Sequence, residues 1–279
     1  MTERPEVITN STTTLGGGWY VLSSDVEFGE RITVNGTADE PTNIILMDGC
    51  EVNCTGGIHV PENTTLTISS ESLDPNAMGS LNATASQYGF AGIGGNCISA
   101  WRGNPVDGFV HIVICGGRVT GKGADNAAGI GTGESWSSGT TVDIYNGIVK
   151  GIGGNNGAGI GSGEASSCNV NIYGGTVNVA KDITQKAITI ANGATLTTKG
   201  NVTTTDGIAN DGSLVNGTSV SYPPSQASYG VGCNIAFGNN CVTGFAEYDA
   251  SKTYNTNDIC KYGTYAAQIF SRSRKERAR

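Results

Sequence analysis

Ala128-Gly-Ile-Gly-Thr-Gly-Glu134 leads into Val142-Asp-Ile-Tyr-Asn-Gly-Ile-Val149, and thirty residues later Ala158-Gly-Ile-Gly-Ser-Gly-Glu164 leads into Val170-Asn-Ile-Tyr-Gly-Gly-Thr-Val177. An earlier copy, Ala91-Gly-Ile-Gly94, precedes Ile112-Val-Ile-Cys-Gly-Gly-Arg-Val119. The spacing from Val119 to Ala128 equals that from Val149 to Ala158, so one unit takes about 30 residues. Within it the apolar positions alternate, which predicts short strands and not helices. Strands of three to five residues cannot bury an apolar face alone, but stacked on a copy of themselves they can. The same strand recurs in the same order without reversing, so the stacking is parallel. The predicted fold is therefore all-β, a right-handed parallel β-helix with glycine pairs at its corners.

The flanks carry the same pattern in weaker form. Ile45-Leu-Met-Asp-Gly-Cys-Glu-Val52 and Ile188-Thr-Ile-Ala-Asn-Gly-Ala-Thr-Leu196 are both an apolar strand, an Asx-Gly corner and a second apolar strand. Composition agrees. The chain has 43 glycines where a usage of roughly 7% predicts about 20, and only seven prolines, so the glycines mark repeated turns and not collagen. The expected layout is an N-terminal extension over 1–17, the β-helix over 18–220 in about seven coils, a linker over 221–244, a small β appendage over 245–270 and a basic tail over 271–279.

A net charge of −8 lacks the basic face that nucleic acid requires, so no nucleic-acid partner is expected; the tail Arg272–Arg279 reads as a solvated basic segment. No apolar run is long enough for a membrane span, and the first residues lack the pattern of a signal peptide. Eight cysteines include no Cys-x-x-Cys pair and there are two histidines, so no cofactor and no structural metal are expected. The cysteines read as small buried hydrophobes, with a Cys233–Cys241 disulfide as the oxidised alternative.

The order Gly18-Trp-Tyr-Val21, Ile32-Thr-Val34, Asn43-Ile-Ile-Leu46, Gly57-Ile58, Leu66-Thr-Ile68 and then the Ala-Gly-Ile-Gly repeats resembles repetitive β-helical surface, adhesin-like proteins of anaerobic gut bacteria and their phages. That resemblance implies a location at the cell surface, outside the cell or on a virion. Further on, Glu247-Tyr248-Asp-Ala-Ser-Lys-Thr-Tyr254 through Tyr262-Gly-Thr-Tyr265 is similar to part of a chitin-binding type of carbohydrate-binding module. Tyr248 stands where that module usually has Trp, and Asn257 replaces its glycine. The likeness implies sugar contacts from Tyr248, Tyr254 and Tyr265. The alternative is a two-stranded cap over the end of the solenoid.

The candidate binding residues come from the inserts. The stretch between Ala-Gly-Ile-Gly and the next strand is longest in the first copy, where it carries Trp101 and Arg102; the second carries Trp136. Inserts in solenoids gather on one face, and exposed aromatic rings stack on sugars, so these residues are expected to line a groove for a glycan or cell-surface receptor, or else to pack down as lids. Glu134 and Glu164 share one repeat position on adjacent coils. Such a pair would suit glycoside hydrolysis or, with Asp125 and Asn126, a shared cation, against two solvated turn carboxylates. Cys115, Tyr145 and Tyr173 also share a position, which predicts a stacked Tyr145–Tyr173 pair. The expected function is a non-catalytic adhesion or glycan-binding rod, monomeric or trimeric. The alternatives are a phage tail or receptor-binding protein and a polysaccharide-cleaving β-helix enzyme.

Overall fold

In a computed structural model the chain is described over residues 6–8, 10–97, 109–135, 139–180, 183–191 and 193–198. Of residues 6–7 and 183–187, and beyond these at 202–210, 213–216, 220–221, 228–229, 234–237, 259–262 and 265–268, only the strand backbone is described. It is all-β, a right-handed parallel β-helix walled by three sheets of 11, 11 and six strands. Each full coil runs through them in one order. Val110–Ile114 lies in sheet 1, Arg118–Lys122 in sheet 2 and Ile130–Gly131 in sheet 3. The next coil repeats this with Thr140–Ile144, Ile148–Ile152 and Ile160–Gly161. The near-identical tetrapeptides pile in a column: Ile93 pairs with Ile130 and Ile130 with Ile160.

Alternation decides what the coils bury. In sheet 1 the register aligns Ile44, Ile68, Ile114, Ile144, Ile172 and Ile190, all pointing inward and sealed from solvent. In sheet 2 Val52, Leu81, Val119, Val149, Val177 and Leu196 do the same. Each such side chain contributes about 1.5–3 kcal/mol on leaving water, and those inside a column are covered from both sides by its copies.

Glycine is forced where backbones meet. Gly94, Gly131 and Gly161 have φ of +136°, +133° and +121°, and a Cβ on Gly94 would lie 1.8 Å from the Gly131 carbonyl oxygen. Sheet 2 also closes directly on sheet 3, where a Cβ on Gly151 would lie 2.2 Å from the Gly159 oxygen. In the first coils Arg31 fills the corresponding gap. Its guanidinium donates to the carbonyls of Gly56 (2.9 Å) and Ala91 (3.0 Å), reaches toward those of Ile58 and Gly94 (3.4 Å each) and lies over the Phe90 ring. Burial lowers the Arg31 pKa to about 10, and burial, then the Arg31 charge, lowers that of neighbouring His59 to about 4.

The coils are not uniform. Along the sheet 1 column the partners Ile68 and Ile114 are 46 residues apart, Ile114 and Ile144 are 30, Ile144 and Ile172 are 28, and Ile172 and Ile190 only 18. The last described strand of sheet 3 is Ile160–Gly161, and a two-sheet coil needs less chain. More coils therefore fit than the seven expected from a steady repeat. Two short strands precede residue 18: Glu6–Val7 joins sheet 1 and Thr14–Leu15 joins sheet 3. At the other end Asn234–Phe237 pairs parallel to Ser213–Asn216. An antiparallel pair, Ile259–Tyr262 with Tyr265–Gln268, extends sheet 2 beyond it. No described helix is long and apolar enough to cross a membrane.

Candidate functional site

A corner made by the two segments that flank sheet 3, the one entering from sheet 2 (Tyr88, Asn126, Asn156) and the one leaving toward sheet 1 (Cys97, Glu134, Glu164), gathers the polar side chains. The local sequence sets its shape: Asn126, Ser135 and Ala165 take the left-handed conformation (φ 64°, 54° and 54°), which Asn tolerates and the other two adopt at some cost. Backbone bonds tie each corner to its neighbours. The Glu134 N–H donates to the Gly89 carbonyl (2.9 Å), that of Glu164 to Asn126 (2.8 Å), and that of Ser135 to Glu164 (2.8 Å).

On this frame a hydrogen-bonded chain crosses three coils. The Tyr88 hydroxyl donates to Glu134 Oε1 (3.2 Å), and Asn126 Nδ2 donates both to that hydroxyl (2.5 Å) and to Glu134 Oε1 (3.1 Å). The Cys97 thiol points at Glu134 Oε2 (3.5 Å). Asn156 Nδ2 donates to Asn126 Oδ1 (2.9 Å) and to Glu164 Oε2 (3.3 Å). Both oxygens of Glu134 are thus engaged, and the two glutamates are bridged by carboxamides. The Tyr88 residue is 59% exposed. Local desolvation at its hydroxyl, then the hydrogen bond and charge of Glu134 and the charges of Glu164 and Cys97, hold its pKa above the ordinary tyrosine value. The phenol therefore stays a donor. Desolvation, then Glu134, likewise pushes the Cys97 thiol up, away from the reactive thiolate.

Of the residues expected from sequence, Glu134 and Glu164 come together on adjacent coils as the repeat required, with Asn126 between them; Asp125 is exposed beside them. Among the described residues no group of three or more His, Cys, Asp or Glu side chains is disposed to hold a metal ion. Trp101, Arg102, Trp136, Tyr248 and Tyr254 lie outside the described residues, as do Cys233 and Cys241, and Tyr265 is described only as strand backbone. Cys97 nevertheless stands four residues before Trp101, and Ser135 immediately before Trp136. Tyr88 and Cys97 were not singled out by sequence. Cys97 stands at the repeat position that Glu134 and Glu164 occupy in the later copies, and Tyr88 at that of Asp125, so the repeat places both at this corner while their change of residue type hides them.

The Tyr145 and Tyr173 rings do stack, with centroids 4.7 Å apart and planes 17° from parallel. Near them, on the outer face of sheet 1, the buried Asp143 carboxylate accepts from His111 Nε2 (2.8 Å) at one oxygen and from Asn171 Nδ2 (2.8 Å) at the other. Burial alone would raise the Asp143 pKa. The bonds from His111 and Asn171 and the His111 charge outweigh it and hold the carboxyl below its ordinary value.

No family model matches the chain, and comparison with curated proteins and with solved structures returns no match.

Proposed function

We propose that the chain is a non-catalytic surface or extracellular β-helix that binds a glycan or a glycan-bearing receptor at the sheet 3 corner. The observation that carries this reading is Tyr88. A largely exposed ring is pinned through its hydroxyl by Glu134 and Asn126, so it is held rigid at little further entropic cost. A fixed aromatic face with carboxylate and carboxamide oxygens at its edge matches a sugar, which is apolar on its ring faces and hydroxylated at its rim. The inserts that carry Trp101, Arg102 and Trp136 spring from the same corner of the sequence and would supply further stacking surface. Glu134 acts here as an anchor and not as an acid or base, because both its oxygens already accept hydrogen bonds.

The test is a glycan array probed with the wild-type chain and with Tyr88→Ala, Trp101→Ala and Trp136→Ala variants. Tyr88→Ala is expected to weaken the strongest signals about tenfold, the upper range of one aromatic contact. Equal binding by all three variants and wild type would remove the reading.

A further inference from the structure

The outer face of sheet 1 differs from the rest of the surface. The register lines up Trp19, Asn43, Thr67, Val113, Asp143 and Asn171 in one outward column. His111 belongs to the neighbouring column, with Thr65 and Thr141. In a chain with 24 acidic and 16 basic residues, these columns contain one carboxylate and one basic side chain, Asp143 and His111, and the two are bonded to each other. Sheet 2 presents the opposite character outward, with Glu51, Arg118, Lys122 and Lys150 exposed. Sheet 1 also shows exposed rings: Trp19 (46%) in one of its first strands, and the stacked Tyr145 (49%) and Tyr173 (41%) midway along it, just after the strands Thr140–Ile144 and Cys168–Ile172.

We propose that this face is a second binding surface, separate from the corner of Tyr88, and that it takes an extended, uncharged polysaccharide lying along the solenoid axis. Three features carry this. The one carboxylate of these columns, Asp143, is already bonded to His111 and Asn171, so the face offers hydrogen-bonding groups that fit hydroxyls and no unpaired cation for an anionic polymer. Coils about 4.8 Å apart repeat those groups at a step close to the rise of one sugar in an extended chain, so successive sugars meet successive coils. The Asp143 carboxylate spends both oxygens inside the protein, fixing the His111 ring and the Asn171 carboxamide, whose other polar atoms remain to meet ligand hydroxyls. The aromatic pair then bounds the track with apolar surface.

Native affinity electrophoresis tests it, in gels cast with neutral polysaccharides (a mixed-linkage β-glucan, a galactomannan and an arabinoxylan) or with uronic-acid polymers (polygalacturonate and alginate). Wild type should be retarded by at least one neutral polymer and by neither acidic one. The Tyr145→Ala, Tyr173→Ala double variant should lose about tenfold in affinity, the equivalent of one good stacking contact. Because that variant also removes a stabilising pair, Thr141→Glu provides the second arm. It keeps both rings, places a charge on the track, and should weaken retardation to a similar extent. Lys150→Ala, on the outer face of sheet 2, should leave retardation unchanged. The proposal is overturned if no neutral polymer retards wild type, if only the acidic polymers do, or if folded Thr141→Glu binds as wild type does. Loss on Tyr88→Ala alone would also overturn it, by assigning the binding to the corner.

Discussion

Replacing Gly131 with alanine tests the stacked column on which the architecture rests. Gly131 has φ +133°, and an added Cβ would sit 2.0 Å from the Gly161 carbonyl oxygen and 2.9 Å from its carbon. Holding alanine in so sparsely populated a conformation costs of order 1–3 kcal/mol. Relieving the clash means moving the strand away from its neighbour. That breaks the bond from the Thr132 N–H to the Gly161 oxygen (2.9 Å) and disturbs the one from Gly95 to Gly131 (3.0 Å), at about 1 kcal/mol each. Together the loss is about 3–5 kcal/mol. At roughly 2–4 °C per kcal/mol for a chain of this size, the melting temperature should fall by about 10 °C. Gly139 is the control: its φ is ordinary and an added Cβ meets nothing within 4 Å, so Gly139→Ala should stay within about 0.5 kcal/mol of wild type. Thermal melts followed by circular dichroism measure both. A Gly131→Ala melt coinciding with that of Gly139→Ala would refute the argument that backbone contact between coils excludes every side chain there.

Arg31→Ala should destabilise by about 3 kcal/mol or more, since it leaves carbonyls of two coils without their donor and empties the space beneath Phe90; urea unfolding would show it, against little change for exposed Arg118→Ala. His59 is neutral in the fold, with a pKa lowered to about 4, so the unfolded chain binds its proton first and stability should fall as pH drops from about 6.5 toward 4. In urea titrations across that window His59→Gln should flatten the slope, and an unchanged slope would show that His59 is not desolvated. Asp143 acts lower. Its depressed pKa contributes stability that is full above about pH 4 and is lost as pH falls through the folded value, so Asp143→Asn should cost stability at pH 7 and progressively less as the pH falls below about 4. The Cys54 thiol, pushed up to about 12 by burial, should resist a thiol reagent at pH 8 until the chain is unfolded, read out by mass mapping of the labelled sites.

The sequence by itself determined the coil. Ala-Gly-Ile-Gly recurs because each copy must lie on the last, and the alternating Ile and Val positions name the inward columns before any coordinates are known. It also placed Glu134 over Glu164 and Tyr145 over Tyr173, because a repeat aligns equivalent residues automatically. Tertiary structure alone decided the contacts made outside that alignment. Tyr88 meets Glu134 from 46 residues away, and Arg31 reaches carbonyls 60 and 63 residues ahead. His111 bonds to Asp143, although its register partner is Thr141. It also set the shortening of the coils after Ile172, which follows from the third sheet ending and not from any marked change in the strands that remain. The physical reason is common to all of these. Periodicity reports which residues share a position along the coil, whereas a side chain that reaches across an insert or down the axis answers to loop length and local space, which no repeat encodes.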